Sequence, residues 1–186
     1  MRDDHKRAWL APQPGAGFVY KKHAVGLARV KALEHEAAVL ARLNLPFMPR
    51  LVDFELTTKS SAVLIMQRVS GVPLSAVPRN ERRQRHIAAQ IWANLVCLHA
   101  AGWIHGDLHP GNILVSTSDT AAQTSDVQQQ LTSIWFVDWE SARPIGYPYE
   151  RSECRHFTLG YSHPNLIFGK QSACPQYDHY AAEALF

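Results

Sequence analysis

Three polar side chains stand at the ends of two apolar runs, in an order that could hold a metal ion on a phosphate group. Asp107 is followed, after four residues, by Asn112, which leads into the apolar run 113–115. A second apolar run, 136–137, ends at Asp138. Two short antiparallel strands would bring these three side chains to one edge of a sheet. There Asn112 and Asp138 could hold Mg²⁺ on the phosphates of a nucleotide, while Asp107 faces an incoming hydroxyl.

This stretch resembles the catalytic loop and metal-binding aspartate of the protein-kinase superfamily, which includes the aminoglycoside and choline phosphotransferases. The sequence HGDLHPGN at 105–112 and the tripeptide Asp-Trp-Glu at 138–140 carry the resemblance. It implies that Asp107 orients the acceptor hydroxyl and accepts its proton, and that Asn112 and Asp138 hold Mg²⁺. An Asp or an Asn alone would indicate only a solvated loop or a turn.

The resemblance also sets expectations for the neighbours of Asp107. His105 is expected to be a packed histidine that hydrogen-bonds to backbone. His109 stands where protein kinases usually carry Lys, and we assign it to the catalytic group because its ring could bind a phosphate or substrate oxygen. Gly106 replaces an Arg that grips a phosphorylated activation loop in many protein kinases, so activation by loop phosphorylation is not expected.

The lysine that binds the phosphates should come from the first strand, residues 18–23, which contains two candidates. Because side chains alternate along a strand, Val19 and Lys21 share one face, and Tyr20 and Lys22 share the other. If Val19 forms the floor of the nucleotide site, Lys21 reaches the phosphates and Lys22 is solvated. The reverse choice would place the bulky Tyr20 against the base, so we predict Lys21.

A helix is predicted over residues 27–43 from the spacing of its apolar residues. Glu36 lies on the apolar stripe of this helix, and a carboxylate on a buried stripe needs a partner. The segment from residue 36 to residue 51 resembles the regulatory helix of protein kinases and the loop that leaves it. We therefore predict that Lys21 and Glu36 form the ion pair that orients the phosphates. The alternative is that Glu36 is a surface group at the edge of the stripe.

Residues 51–56 and 62–66 are predicted strands, which form an antiparallel sheet over this helix. The end of the second strand resembles the kinase hinge, whose backbone groups bind adenine. On this match Met66 lies at the back of the adenine pocket, and Gln67 and Arg68 supply the hinge backbone.

Two glycines before the first strand, Gly15 and Gly17, could allow backbone amides to approach the phosphates of ATP. They lack a complete GxGxxG pattern and a preceding strand, so an ordinary loop that enters the strand is the favoured interpretation.

The long helix predicted over residues 80–101, with Asn80 as its cap, resembles the central helix of a kinase C-terminal lobe. Residues 116–133 form a polar insert between the two catalytic strands. Further on, the resemblance places Thr158 beside Asp107 and makes Asp178 a brace for the backbone of the catalytic loop.

The tail departs from the family pattern at Asn165, where protein kinases carry a Glu that pairs with an Arg from a later helix. The sequence ends at Phe186, before any such helix. An ordinary loop followed by a terminal helix is the alternative interpretation of the tail. A partner that completes the C-terminal lobe is a further prediction.

Composition narrows the class of protein. The chain has 186 residues, 46% of them hydrophobic, and a net charge of +3 with its basic residues scattered, which is not typical of nucleic-acid binding. Three widely spaced cysteines indicate neither a zinc site nor a disulfide framework. The N-terminus lacks a signal peptide, and no run reaches membrane-spanning length. A cluster of arginines is interpreted as a solvated helix start, with an acidic partner or substrate as the alternative: Arg79, Arg82, Arg83 and Arg85.

Together these features predict an α+β, bilobal protein kinase-like fold. Residues 1–69 form an N-lobe with an antiparallel sheet and one helix, and residues 70–186 form a reduced, mostly helical C-lobe. ATP and Mg²⁺ are the implied cofactors, and the predicted function is that of a minimal protein Ser/Thr kinase. In size and architecture it resembles effectors that some bacteria inject into host cells, so cytoplasmic and injected locations both stay open. The alternatives are a small-molecule phosphotransferase and a pseudokinase that acts as a binding module.

Overall fold

The computed structural model describes residues 19–117, 132–149, 157–168 and 172–186. The loop that contains Gly15 and Gly17 lies outside these residues, as does most of the polar insert between the catalytic strands.

The N-terminal part is a three-stranded antiparallel sheet with one helix against it. Strands β1 (Val19–Val25), β2 (Leu51–Thr58) and β3 (Ser61–Gln67) pair in the order β1-β3-β2. Helix α1 (Leu27–Leu43) connects β1 to β2 and matches the predicted bounds. Alternate residues of β3 are buried, so its one apolar face packs toward α1. This arrangement is the sheet and single helix that the sequence predicts.

The second part begins with a short strand, a 3-10 helix and a long α-helix. Strand β4 (Val72–Pro73) and a short 3-10 helix, Leu74–Ala76, lead to helix α2 (Glu81–Ala100). The side-chain oxygen of Asn80 accepts a hydrogen bond from the backbone N–H of Arg83, at 3.0 Å, which is the predicted N-cap. The buried residues of α2 recur every three or four positions and face the core: Ile87, Ile91, Leu95 and Leu98.

The remaining elements frame the catalytic residues. Strands β5 (Trp103–Ile104) and β8 (Arg143–Pro144) pair with each other, while β6 (Ile113–Thr117) lies between β4 and β7 (Thr132–Phe136). In the β6–β7 ladder Ile113 is opposite Phe136, which places the residues flanking both strands side by side. A 3-10 helix, Trp139–Ser141, follows β7, and helices α3 (Pro164–Phe168) and α4 (Pro175–Glu183) end the chain.

Two close backbone approaches are made to the β6–β7 sheet, one by Phe47 of the N-terminal part and one by Gly71 at the start of the second part. The N–H of Phe136 donates to the carbonyl of Phe47 at 2.7 Å, and the two phenyl rings stack edge to face at 5.3 Å. On the other connection, a Cβ on Gly71, whose φ is 148°, would lie 2.9 Å from the carbonyl oxygen of Val115. Only glycine permits that approach without a shift of the backbone.

The architecture is α+β and has two parts, as predicted from the sequence. No helix in the described ranges is both long and apolar enough to cross a membrane.

Candidate active site

Asp178 of helix α4 holds the backbone of the loop that corresponds to the catalytic loop of kinases, residues 105–112. Its carboxylate accepts the backbone N–H of His105 at 2.8 Å and that of Gly106 at 2.9 Å. It also accepts a hydrogen bond from Nε2 of His99, at 3.0 Å. Asp178 is buried, so these three donors hold its charge in a site that water does not reach. The carboxylate therefore braces the loop backbone at the position that the sequence analysis assigned to it.

Gly106 lets this loop pass close to the segment that follows Asp138. Its φ is 79°, and a Cβ at this position would lie 2.6 Å from the carbonyl oxygen of Ser141. The positive φ and this short distance each exclude an arginine, or any other side chain, at position 106. The Gly at this position is thus a requirement of the backbone here.

Asp107 points toward the tail of the chain. Its Oδ1 accepts a hydrogen bond from the hydroxyl of Thr158 at 2.9 Å, the contact expected from the resemblance. The side-chain amide of Asn112 donates to the carbonyl of Asp107 at 3.0 Å, which fixes Asn112 across the loop and orients its amide oxygen away from that bond. Asp107 is thus held by one hydrogen bond to its carboxylate and one to its backbone carbonyl.

Asp138 follows β7 directly and has a left-handed backbone, with φ 67°. Such a conformation is unusual for a residue other than glycine and is typical of functional sites. The N–H of Val137 donates to the carbonyl of Asn112 at 3.0 Å, so the backbones next to the two predicted Mg²⁺ ligands are bonded together. This bond brings Asn112 and Asp138 to the same edge, as the two-strand argument predicts.

The predicted ion pair between Lys21 and Glu36 is wrong, because Lys22 takes that place. Nζ of Lys22 lies 2.7 Å from Oε2 of Glu36 and 2.9 Å from Oδ1 of Asp138, whereas Lys21 is exposed on the outer face of β1. The inner face of the strand carries Tyr20, which packs against the hydrophobic core. The bulky ring that argued against this face is thus accommodated at the edge of the core, and Lys22 lies on the same face of the strand.

Burial and charge act in opposite directions on this ion pair. Burial raises the pKa of Glu36 to about 7, and the nearby Lys22 ammonium works to lower it. Burial alone would lower the pKa of Lys22, but the attraction of Glu36, Asp138 and Glu140 outweighs burial and raises that pKa above its usual range. Lys22 is therefore a permanent cation in this site, whereas Glu36 takes up a proton more easily than a solvated carboxyl.

Glu36 also bonds the segment after Asp138, a contact that the sequence analysis did not anticipate. Its Oε1 accepts the backbone N–H of Trp139 at 3.2 Å, so both carboxylate oxygens have donors. Glu140 adds a third carboxylate, 4.0 Å from Nζ of Lys22. The buried position of Glu36 on the helix stripe was the available signal, but its second partner depends on a turn about a hundred residues away.

The two histidines of the catalytic loop differ in their surroundings. His105 is fully buried, and its Nε2 donates to the carbonyl of Val137 at 3.2 Å, which is the packed environment predicted for it. Nδ1 of His109 accepts the backbone N–H of Gly111 at 3.0 Å, so the proton of the neutral ring lies on Nε2. That nitrogen is 3.9 Å from Oδ2 of Asp107. His109 thus presents an N–H beside the catalytic carboxylate.

The predicted hinge leaves strand β3. Met66 is buried at the end of this strand, while Gln67 and Arg68 are half-buried. The N–H of Gln67 donates to the carbonyl of Arg50 at 2.8 Å, so it is committed to the protein backbone. An adenine contact at the hinge would therefore use other backbone groups of this segment.

A model of one family, described as protein kinase domain, matches residues 17–186. The chain belongs to the protein kinase family. The match covers both the ion-pair strand and the tail that carries Thr158 and Asp178, and it agrees with the order of motifs along the sequence.

Two bacterial relatives bear kinase names. Serine/threonine-protein kinase pkn3 of Myxococcus xanthus is 34% identical over 128 residues, which are 57% of this chain and 23% of that protein. Serine/threonine-protein kinase PknA of Mycobacterium tuberculosis is 32% identical over 96 residues, or 47% of this chain and 22% of that protein. The chain thus spans about a quarter of the length of these relatives.

The solved structure of the Cydia pomonella Granulovirus kinase, PK-1, superimposes with a TM-score of 0.65 at 21% identity. The match covers 92% of this chain and 59% of that one. At this identity the likeness establishes the fold, and the fold is that of a kinase.

Proposed function

We propose that this protein is an ATP- and Mg²⁺-dependent kinase that transfers the γ-phosphate to a serine or threonine hydroxyl of a protein. One observation carries the proposal: Lys22 joins Glu36 and Asp138 in a single ion network, at 2.7 Å and 2.9 Å. A permanent cation bonded at once to the helix carboxylate and to the strand-end aspartate is the arrangement that kinases use to hold nucleotide phosphates.

The donor set fits Mg²⁺ bound together with phosphate. The side chains of Asn112 and Asp138 offer one amide oxygen and one carboxylate, hard oxygen ligands of the kind Mg²⁺ takes alongside substrate phosphates. When bound, Mg²⁺ would neutralise the charge that develops on the phosphoryl oxygens. In this assignment Lys22 replaces Lys21 as the phosphate-binding residue, and Met66, Gln67 and Arg68 border the adenine.

Asp107 is the proposed base for the acceptor hydroxyl. Its carboxylate is already bonded to a hydroxyl in the structure, that of Thr158, so the site has the polarity that an incoming serine or threonine needs. His109 would donate its Nε2–H to the phosphoryl group or to the acceptor oxygen. His105 and Asp178 keep the loop in place without touching the substrate.

The tail supports a serine or threonine hydroxyl of a protein as the acceptor. Thr158, in the tail segment 157–163, bonds the carboxylate of Asp107. The named bacterial relatives are serine/threonine kinases. Both points favour a protein acceptor over a small molecule. We assign residues 1–69 to the nucleotide-binding lobe and residues 70–186 to the acceptor-binding lobe on the same basis.

The decisive experiment incubates the pure protein with labelled Mg-ATP and offers protein substrates beside a panel of small alcohols and aminoglycosides. Asp107→Asn and Asp138→Asn serve as controls that preserve side-chain size. Label on serine or threonine of a protein that both variants lose supports the proposal. Label only on small molecules reassigns the chain to the phosphotransferases, and bound ATP without any transfer reassigns it to the pseudokinases.

A further inference from the structure

A cleft of about 270 Å³ opens beside the catalytic loop. Pro110 of the catalytic loop forms one wall and Tyr161 of the tail forms another. The ring of Tyr161 lies 6.5 Å, centroid to centroid, from the ring of His109. The cleft therefore borders the loop that carries Asp107.

The same short turn connects this cleft to the catalytic aspartate. The N–H of Tyr161 donates to the carbonyl of Thr158 at 3.0 Å, and the hydroxyl of Thr158 bonds Asp107 at 2.9 Å. A substrate segment whose hydroxyl reaches Asp107 would pass this turn. A neighbouring side chain of that segment would then enter the cleft. The lining shares no residue with the ion network of Lys22, Glu36 and Asp138, and it includes Pro110 and Tyr161 from the loop of Asp107 and the turn of Thr158. We therefore assign the cleft to the acceptor side of the site.

The cleft has an apolar floor and a basic edge. Leu74, Val77 and Ile87 supply apolar surface, while Arg79 and Gln84 supply polar groups that can bind an anion. Among the described residues that line it, none is an Asp or a Glu. Such a lining can pack against the methylene groups of a substrate side chain and place the polar end of that side chain at the guanidinium of Arg79.

Arg79 is not neutralised by its own protein within the described part of the chain. It is exposed and has no ion pair or side-chain hydrogen bond there, whereas its neighbour Arg85 is paired with Glu81. Arg82 is likewise exposed and unpaired in the described residues, but it does not line the cleft. The N–H donors of a guanidinium that is unpaired at the edge of a cleft are suited to bind a carboxylate.

We propose that this cleft binds an acidic side chain of the protein substrate, with its carboxylate on Arg79 and its methylene groups on the apolar floor. An Asp or Glu a few residues from the phosphorylated hydroxyl is then a specificity determinant. This inference rests on the proposed kinase function and adds the class of substrate to it.

The test uses serine peptides that differ at one position, with Glu, Gln or Lys placed in turn on each side of the acceptor. The wild-type protein should prefer the best Glu peptide over its Gln counterpart by about two- to fivefold in kcat/KM, the factor that a surface ion pair supplies. Arg79→Gln should abolish this preference through KM of the peptide, with kcat and KM for ATP unchanged. Arg82→Gln, the matched control, should retain it, and Arg79→Glu should transfer the preference to the Lys peptide.

Three results would overturn the inference: equal rates for Glu and Gln peptides at every position, an equal loss in Arg82→Gln, or a change confined to KM for ATP. If no peptide is phosphorylated, the proposed function fails first, and binding decides the inference on its own. Fluorescence anisotropy of the labelled Glu and Gln peptides then has to show tighter binding of the Glu peptide that Arg79→Gln removes. Equal anisotropy curves would sink the acidic-cleft assignment.

Discussion

Glu36 is the residue on which the two parts of the active site depend. It is a fully buried carboxylate on helix α1, with one oxygen bonded to Lys22 and the other to the N–H of Trp139. Removing either partner would leave a buried group unpaired, which costs far more than the pair contributes when intact. The helix, the strand and the turn after Asp138 are therefore tied to one side chain.

Substitution of the two neighbouring lysines separates their roles. Lys22→Met should reduce phosphotransfer on the order of a hundredfold, because a fixed positive charge at the transferred phosphate is lost. Lys21→Met should stay within about twofold of wild type, since Lys21 points to solvent. Steady-state kinetics and ATP titration of both variants check this, and a larger loss in Lys21→Met would contradict the assignment.

The raised pKa of Glu36 predicts how stability changes with pH. The pKa is 4.5 for the unfolded group and about 7 in the folded protein, so between these values the folded protein retains a proton that the unfolded chain releases. The contribution of Glu36 to the free energy of unfolding is therefore complete below pH 4.5 and is lost as pH rises toward 7. Glu36→Gln cannot ionise and lacks this dependence.

Urea denaturation of wild type and Glu36→Gln across this pH range measures the effect. The difference in unfolding free energy between the two proteins should shift steadily against wild type as pH increases. Parallel curves for the two proteins would show that the carboxyl titrates as it does in water.

Gly111 and His109 should behave as one unit. A Cβ on Gly111 would lie 2.8 Å from Cε1 of His109, so Gly111→Ala must displace the ring from its place beside Asp107. We expect Gly111→Ala to lower kcat by about tenfold, since small displacements of catalytic groups are costly. In a His109→Ala background the same substitution should have little further effect, because no ring remains to be displaced. Additive losses in this double-mutant cycle would contradict the coupling.

At the scale of residues, the sequence predicts the order of the polar residues at the site but not which lysine of β1 pairs with Glu36. The identity and order of Asp107, Asn112 and Asp138 follow from local spacing. The choice between Lys21 and Lys22 does not, because alternation defines two faces of a strand without stating which one packs inward. In the structure the inward face is the one with Tyr20, which packs against core residues distant in sequence.

At the scale of elements, helix α4 acts as the support for the catalytic loop. Asp178 lies in its first turn and receives three hydrogen bonds, two of them from the loop backbone. The helix is itself short, so its position depends on packing: Ala181 and Ala182 are buried in the main core beside α2. The geometry of the loop is thus set from the far end of the chain.

Asp178→Asn tests this support. The amide replaces one acceptor oxygen with a donor, so a buried backbone N–H of His105 or Gly106 loses its partner at a cost of about 1–3 kcal/mol. We expect that loss in chemical denaturation, together with a fall in kcat. Glu183→Gln, an equivalent change on the exposed side of the same helix, should alter stability by less than about 0.5 kcal/mol. Similar losses in both variants would mean that α4 is merely sensitive to charge removal.

The elements differ in how far the sequence predicts them. Helices α1 and α2 appear within one residue of their predicted bounds, because their apolar period and the Asn80 cap are local signals. Strands β4, β5 and β8 have two residues each, and they exist only through partners elsewhere in the chain. No local pattern encodes a strand of that length.

At the scale of the whole molecule, nucleotide binding should stabilise both parts together, since the ion network draws residues from each. Mg-ATP at about a hundred times its Kd should add about 2.7 kcal/mol, which corresponds to a rise in Tm of roughly 5–10 °C for a chain of this size. Chelation of Mg²⁺ and the variant Asp138→Asn should each remove most of the rise, while Lys21→Met should keep it. A shift that survives both treatments would place the nucleotide elsewhere, as differential scanning fluorimetry would reveal.

Lys22 is bonded to one carboxylate from each part of the molecule, Glu36 of helix α1 and Asp138 after β7. Helix α1 makes a further bond between the two parts, since Glu36 accepts the N–H of Trp139. The 2.9 Å from Nζ of Lys22 to Oδ1 of Asp138 is therefore a direct measure of how closely the two parts of the active site approach each other. A substitution of Lys22 thus removes a link between the two parts as well as a cation.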